Sequence, residues 1–159
     1  SVAALLAVSG KSPVPIATGE KLFHLRDFLP LIQERACAYL QPDVCHCFGI
    51  SGLVEIAQAA REAQMLMAPH NAGGPLALAA TLAADAVTPN FLIQEMGDEW
   101  FQRFGDYVEH DWSVAGGYIN VSEAPGLGLT VKIQDIENLP YEPLPYRQYR
   151  HADGSWKGW

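Results

Sequence analysis

Four ionisable residues each stand at the end of a short apolar run in this sequence. Glu20 follows VPIATG, Asp43 follows YLQP, His70 follows QMLMAP and Glu95 follows FLIQ. They lie 23, 27 and 25 positions apart, so the pattern recurs at a nearly constant interval. Carboxylates and imidazole are the side chains that most often transfer protons in enzymes, and carboxylates also bind hard cations. If the four side chains meet in one pocket, proton transfer is the chemistry that they would support.

Taken one at a time, these residues have ordinary structural explanations. Glu20 could be a charge at the start of a helix, and Asp43 could cap a loop. His70 could be a core histidine whose hydrogen bonds are satisfied. The functional hypothesis therefore rests on the ordered set and not on any single member.

Apolar periodicity predicts the elements that would position these residues. Short strands are expected at 14–18, 39–41, 65–68 and 91–93, the first of them buried. Helices are expected after the first three strands, with Asp27 and Ser51 as N-caps of the first two and Pro75 at the start of the third. The apolar face of the second helix is expected to comprise Leu53, Ile56, Ala57 and Ala60.

The alternation of strand and helix predicts parallel strands joined by crossover helices, because tight turns cannot join parallel neighbours. Two architectures fit this order: a doubly wound open sheet, or part of a (β/α)₈ barrel. No G-x-G-x-x-G motif follows any predicted strand, which disfavours a dinucleotide-binding sheet. In (β/α)₈ barrels the active site lies at the carboxyl ends of the strands, where all four ionisable residues stand.

The periodicity stops after Glu95. The aromatic and acidic stretch 96–112 is expected to form a short helix or an ordered loop. The stretch 117–131 has strand character that is interrupted by a turn signal at 125–128. The segment 141–159 is rich in proline and aromatic residues and is expected to be an irregular tail packed on the protein surface or on a partner.

The composition is that of a globular protein of about one domain, with 159 residues of which 49% are hydrophobic. No apolar run approaches the roughly 18 residues of a membrane span, and nothing has the form of a signal peptide. The net charge of −8 disfavours a nucleic-acid surface, but it does not exclude an anionic substrate when a bound metal ion reverses the local charge. We expect no nucleic-acid or membrane partner.

The three cysteines form an odd set without CxxC spacing, which favours a reducing cytoplasm. The stretch Cys45-His46-Cys47 could suggest a soft-metal site. Adjacent residues of an extended chain point to opposite sides, however, so His46 would face away from both thiols. Small buried or half-buried side chains are the favoured interpretation of this stretch.

Several motifs resemble one known family. PIATGE, QPDVCH, APHNAGGPLALAA, PNFLIQE and APGLGLTV, together with the ending YRHADGSWKGW, resemble the C-terminal part of the enolase superfamily. Within it they are similar to the mandelate racemase/muconate lactonizing enzyme family, in the branch of sugar-acid dehydratases of the galactonate type. The resemblance implies an N-terminal capping domain followed by a (β/α)₇β barrel, of which this chain would hold strands five to eight. It divides the chain into barrel residues 1–96 and a C-terminal extension, 97–159, that packs on the barrel and the capping domain.

The resemblance also assigns roles to the four strand-end residues. Glu20 matches a carboxylate ligand of an essential Mg²⁺. Asp43 and His70 match a dyad in which His70 is the general base, and Glu95 matches an acid that hydrogen-bonds the substrate carboxylate. His70 and Glu95 would thus both bind substrate. Imidazole suits the base role because its ordinary pKa lies near neutrality, and a carboxylate on its other nitrogen fixes the tautomer.

The implied function is Mg²⁺-dependent dehydration of a sugar acid, begun by removal of the proton next to the carboxylate. The capping domain, two further metal ligands and any second base are not among these residues, so we expect the 159-residue chain alone to be inactive and the full-length protein to form a cytoplasmic homo-oligomer. A racemase or cycloisomerase of the same superfamily is the alternative, as is a non-catalytic barrel fragment or subunit. The identity of the sugar acid, and whether elimination is syn or anti, stay open.

Overall fold

The computed structural model describes residues 1–97, 103–141, 143 and 150–155. The α-helices are α1 (Val2–Ser9), α2 (Leu25–Gln33), α3 (Gly49–Glu62), α4 (Pro75–Asp85) and α5 (Ile133–Glu137), with one 3₁₀ turn at Gly105–Tyr107. The strands are β1 (Ala17–Thr18), β2 (Tyr39–Leu40), β3 (Leu66–Met67), β4 (Val108–His110), β5 (Val114–Ala115), β6 (Tyr118–Ile119) and β7 (Leu129–Val131). No helix in this described part of the chain is long and apolar enough to cross a membrane.

The first three strands form a parallel sheet in the order β1-β2-β3, as the alternation predicted. The expected fourth strand at 91–93 is reduced to a bridge between Met67 and Phe91, extended by a hydrogen bond from the Leu92 amide to the Met67 carbonyl. The first strand was expected to be buried. That prediction was wrong, because β1 is the sheet edge and exposes Ala17.

The main core lies between the sheet and the helices that cross over it. Its largest fully buried side chains come from α2, β2, α3 and β3, and they include Phe28, Leu40, Leu53, Ile56 and Met67. Burying one such side chain away from water contributes about 1.5–3 kcal/mol to the stability of the folded state. The face predicted for α3 is confirmed, since its buried residues are the four that periodicity selects.

Two of the predicted helix caps were wrong. The N-cap of α2 is His24, and Asp27 lies three positions after it. The Asp27 carboxylate accepts a hydrogen bond from the backbone N–H of His24 at 2.9 Å. This hydrogen bond is the main cause that holds the pKa of Asp27 below its ordinary value. Ser51 lies inside the first turn of α3, which begins after Phe48 in a left-handed conformation (φ 67°, ψ 37°). The start of α4 at Pro75 is confirmed.

Helix α1 was not predicted. Its sequence, VAALLAVS, is apolar on all sides and therefore lacks the periodicity that identifies an amphipathic helix. None of its residues is buried, although Val2 and Leu5 pack against the main core. Ser1 caps the helix through a hydrogen bond from the Ala4 amide.

The part of the chain after Glu95 forms two small antiparallel pairs, β4 with β7 and β5 with β6. Trp112 joins Leu78 and Leu82 of α4 in a second apolar cluster, so this part packs on the barrel helices where it is described. Gly126 and Gly128 both have positive φ angles, 73° and 68°, which confirms the turn expected at 125–128. Most of the predicted tail lies outside the described residues, and the boundary at residue 96 stays a prediction.

Candidate active site

The parallel ladder continues past the regular strands and sets the register of the site. The His70 amide donates to the Pro42 carbonyl at 3.1 Å, and the backbones of Asp43 and His70 form a parallel bridge. Two side chains at matching positions of adjacent parallel strands lie on the same face of the sheet. The carboxyl ends of β2 and β3 therefore place Asp43 and His70 side by side.

A glycine immediately before Glu20 is required by the close approach of β1 and β2. Gly19 has φ 142°, which residues with a Cβ rarely adopt. A Cβ at this position would lie 2.8 Å from Cε1 of Phe28 and 3.0 Å from the amide nitrogen of Gln41. The chain can therefore turn sharply at the end of β1 and bring Glu20 toward the ends of its neighbours.

His70 is the centre of the cluster. Its Nδ1 lies 2.7 Å from Oδ2 of Asp43, and its Nε2 lies 3.1 Å from Oε2 of Glu20. The same Nε2 is 3.9 Å from Oε2 of Glu95. The structure thus brings together all four residues that the sequence placed at strand ends.

The contact between Nε2 of His70 and Oε2 of Glu20 requires a shared proton, because an unprotonated nitrogen and a carboxylate oxygen are both acceptors. Either the imidazole carries both ring protons, or the Glu20 carboxyl carries one. Proton abstraction by Nε2 needs that atom to be unprotonated, so this contact must open before His70 can act as a base.

Asp43 is held rigidly. Only 9% of its side chain is exposed, and its Oδ1 accepts the Cys45 amide at 2.7 Å while Oδ2 faces His70. Both carboxylate oxygens are therefore occupied by donors. Such an arrangement fixes the orientation of the His70 ring and keeps the proton on Nδ1, while Nε2 faces Glu20 and Glu95.

Glu95 is about half exposed, with 49% of its side chain accessible. Its Oε2 accepts the Asn71 amide at 3.2 Å, so the loop after β3 holds this carboxylate next to His70. The loop itself closes through a hydrogen bond from the Gly73 amide to Oδ1 of Asn71. Gln94, which the sequence reasoning did not select, donates to the carbonyls of Pro69 and Glu95 and joins the ends of the last two strand segments.

The donor set fits one side of a magnesium site. Glu20 offers a hard carboxylate that is 48% exposed, and three carboxylates around one imidazole give the cluster an excess of negative charge that favours a cation. The part of the chain that the structure describes contains no group of three or more His, Cys, Asp or Glu residues that could hold a metal ion. One carboxylate does not hold Mg²⁺ without further ligands.

The Cys45-His46-Cys47 stretch has a different conformation from the one assumed in the sequence argument. It forms a turn in which the amides of His46 and Cys47 both donate to the Asp43 carbonyl, so the premise of an extended chain was wrong. The expected burial is confirmed for Cys47 and was wrong for Cys45 and His46, which are exposed because the turn lies at the protein surface. Burial raises the pKa of Cys47 to about 12 and that of Cys37 to about 11, so both stay thiols at neutral pH. His46 instead lies 3.0 Å from the backbone oxygen of Glu20 through its Nδ1.

The other histidines lie outside this cluster. The ring of His24 packs against the ring of Phe48 with centroids 4.6 Å apart, and the ring of His110 packs against Trp112 at 4.7 Å. His151 is exposed in the C-terminal segment. His110 and His151 are exposed, whereas His24 is partly buried.

Parallel β/α units with ionisable residues gathered at the strand ends define an α/β chain of the TIM-barrel type. Residues 1–136 match the family described as enolase C-terminal domain-like, and the chain belongs to this family. The predicted fold, the C-terminal part of the barrel of an enolase superfamily protein, is thereby confirmed.

Individual relatives agree with this assignment. The chain is 36% identical over 154 residues to a D-galactonate dehydratase of Ralstonia pickettii (strain 12J), a match that covers 92% of this chain and 40% of the relative. A D-galactonate dehydratase of Cronobacter sakazakii is 33% identical over 160 residues, covering 96% of this chain and 42% of the relative. The chain therefore spans about two fifths of the length of the curated relatives that it matches.

Solved structures show the same fold. A candidate mandelate racemase/muconate lactonizing enzyme from Burkholderia SAR-1 superposes with a TM-score of 0.83 at 32% identity, over 90% of this chain and 36% of that one. A candidate galactarate dehydratase from Agrobacterium radiobacter, solved with sodium and L-malate bound, superposes with a TM-score of 0.83 at 29% identity. That match covers 98% of this chain and 43% of the other.

Proposed function

We propose that this chain supplies the base-carrying half of a Mg²⁺-dependent active site that removes water from a sugar acid. The observation that carries the proposal is the placement of His70, between a buried carboxylate on one ring nitrogen and two half-exposed carboxylates on the other. The D-galactonate dehydratases among the relatives support an aldonate as the substrate class.

In this mechanism Nε2 of His70 takes the proton from the carbon next to the substrate carboxylate. Asp43 accepts the hydrogen bond from Nδ1 throughout, and its negative charge stabilises the imidazolium that forms. The electron pair left on carbon forms a double bond as the hydroxyl group leaves from the neighbouring carbon. The hydroxyl leaves as water after it accepts a proton, which the His70 imidazolium returns in a syn elimination or another acid donates in an anti elimination. The enol product then rearranges to the 2-keto-3-deoxy acid.

Glu95 binds the substrate carboxylate from the side opposite Asp43. Its oxygen lies 3.9 Å from Nε2 of His70, so a substrate carboxylate held by Glu95 would bring its α-carbon next to the base. Contact between the two carboxyl groups requires one of them to carry a proton. Glu95 in its acid form supplies that proton as a hydrogen-bond donor.

Glu20 is the ligand that this chain offers to the metal ion. A divalent cation bound there would neutralise the negative charge that develops on the substrate carboxylate during proton removal. The described residues supply too few ligands for a closed site, and the chain spans about two fifths of the length of its curated relatives. We therefore propose that further carboxylates come from the part of such a protein that this chain does not cover. Activity would accordingly require them.

The test is a proton-exchange and product assay on the protein expressed from its complete reading frame. D-Galactonate and a panel of other sugar acids are incubated with Mg²⁺ in D₂O, and NMR follows both loss of the α-proton and formation of the 2-keto-3-deoxy acid. Exchange with dehydration supports the proposal, whereas exchange with inversion at the α-carbon identifies a racemase. Absence of exchange on every acid would overturn it.

A matched pair of variants locates the base. His70→Asn is expected to abolish exchange, while His151→Asn changes an exposed histidine whose backbone hydrogen bonds lie within 150–155 and is expected to leave exchange unchanged. Retention of exchange in His70→Asn would assign the base elsewhere.

A further inference from the structure

The turn between β2 and α3 reaches across to the end of β1 through a single side chain. Nδ1 of His46 lies 3.0 Å from the backbone oxygen of Glu20, a contact between residues 26 positions apart in sequence. A carbonyl oxygen can only accept, so Nδ1 carries the proton in this contact. The hydrogen bond is therefore directed from the His46 ring to the Glu20 backbone.

We propose that His46 is a positioning residue that holds Glu20 in place as the metal-binding carboxylate. This inference rests on the proposed function, since it assigns a purpose to a contact with the proposed ligand. His46 itself faces the backbone of Glu20 and not its carboxylate, so it acts through Glu20.

The turn that carries His46 is anchored on the other side of the catalytic cluster. The backbone amide of His46 donates to the Asp43 carbonyl at 2.9 Å, and the neighbouring Cys45 amide donates to the Asp43 side chain. The same turn therefore holds the carboxylate of Asp43, which contacts Nδ1 of His70, and the backbone of Glu20, whose carboxylate contacts Nε2 of His70. Asp43 and Glu20 are thus both held by hydrogen bonds to one short segment.

Glu20 needs such support because its own segment is weakly held. Its side chain is 48% exposed, and it follows the edge strand β1, which consists of two residues. Within the turn that follows, the Leu22 amide donates to the Gly19 carbonyl at 2.9 Å. The Phe23 ring also packs near the His46 ring, with centroids 5.7 Å apart.

Three variants separate the hydrogen bond from the ring. Asparagine places a side-chain N–H where Nδ1 of histidine lies, so His46→Asn retains the donor without the ring. His46→Phe retains a ring against Phe23 without the donor. His46→Gln places its N–H at the position of Nε2 and serves as the control for adding an amide that does not reach the Glu20 oxygen.

The first readout is the affinity of the protein from its complete reading frame for Mn²⁺, measured by electron paramagnetic resonance. His46→Phe and His46→Gln are expected to weaken Mn²⁺ binding about tenfold, the scale typical for groups that orient metal ligands. His46→Asn is expected to stay within about twofold of the unmodified protein. Equal affinity in all three variants, or equal weakening in all three, would overturn the proposal.

The second readout does not depend on a metal. Amide hydrogen exchange at Leu22 is expected to accelerate about fivefold in His46→Phe but not in His46→Asn, as loss of one hydrogen bond predicts. The Ala68 amide, which donates to Leu40 inside the sheet, is the internal control and is expected to be unchanged. A protein that binds no Mn²⁺ refutes the proposed function, and the Leu22 exchange then decides by itself whether His46 holds the Glu20 segment.

Discussion

The imidazole of His70 and the carboxylate of Asp43 are joined by a 2.7 Å hydrogen bond and also by a parallel bridge between their backbones. The strand register therefore places the imidazole and the carboxylate next to each other. Asp43 is buried and its second oxygen accepts the Cys45 amide, so the dyad has little freedom to rearrange.

Replacing Asp43 by asparagine tests the dyad. An amide in this place cannot stabilise the imidazolium and can turn its N–H₂ group toward Nδ1, which would favour the wrong tautomer. We expect Asp43→Asn to lower the rate constant of α-proton exchange about 100-fold or more, on the scale of general-base catalysis, with a smaller change in KM. Asp135→Asn on the exposed face of α5 is the matched control, and a loss below about threefold in Asp43→Asn would contradict the assignment.

Replacing Glu20 by glutamine tests the proposed metal ligand. The neutral amide oxygen binds a hard cation more weakly than a carboxylate does. The Mg²⁺ concentration for half-maximal activity is therefore expected to rise about tenfold or more, with activity lost on chelation and restored by added Mg²⁺ in the unmodified protein. The exposed Glu34, at the end of α2, provides the control substitution Glu34→Gln. An unchanged Mg²⁺ requirement in Glu20→Gln would exclude this residue as a ligand.

Asp85 at the end of α4 makes the free energy of unfolding depend on pH. It is buried, neither carboxylate oxygen has a hydrogen-bond partner within the described segments, and desolvation raises its pKa from 3.8 to about 7. The folded protein therefore binds a proton more tightly than the unfolded chain does. The stability contributed by this group is present below about pH 4 and is lost as the pH rises to about 7.

Asp85→Asn removes this titration. At pH 8 the variant is expected to be more stable than the unmodified protein by on the order of a few kcal/mol, and at pH 4 the two are expected to differ little. Urea unfolding at pH 4, 6 and 8 measures the difference. A stability difference that is the same at all three pH values would show that burial of the charge is not the cause.

Phe48 is a site of backbone strain that can be relieved. Its φ of 67° lies in the left-handed region, where a Cβ costs about 1–2 kcal/mol, and the residue is 66% exposed. Phe48→Gly and Phe48→Ala both remove the ring and its contact with His24, but only glycine removes the Cβ. We expect Phe48→Gly to be about 1 kcal/mol more stable than Phe48→Ala in chemical denaturation. Equal stability of the two variants would show that the backbone conformation is not strained.

Much of the fold could be predicted from local pattern. Periodic apolar residues selected the buried face of α3, and Pro75 marked the first residue of α4 because its missing N–H is harmless there. Helix α1 was missed because a sequence that is apolar at nearly every position has no periodic apolar face by which a helix can be recognised. The caps at Asp27 and Ser51 were misplaced because residue type alone does not distinguish the N-cap from the next positions of the first turn.

By itself, the sequence determined the α/β architecture and the four residues at the strand ends, because strand-helix alternation and apolar burial are properties of short segments. The tertiary structure alone decided that Glu20, His70 and Glu95 meet around one nitrogen, since that depends on strand register and on the sharp turn at Gly19. It also decided the contact from His46 to the Glu20 backbone. A hydrogen bond across 26 residues has no local signature, because it exists only once two strands are paired in a particular register.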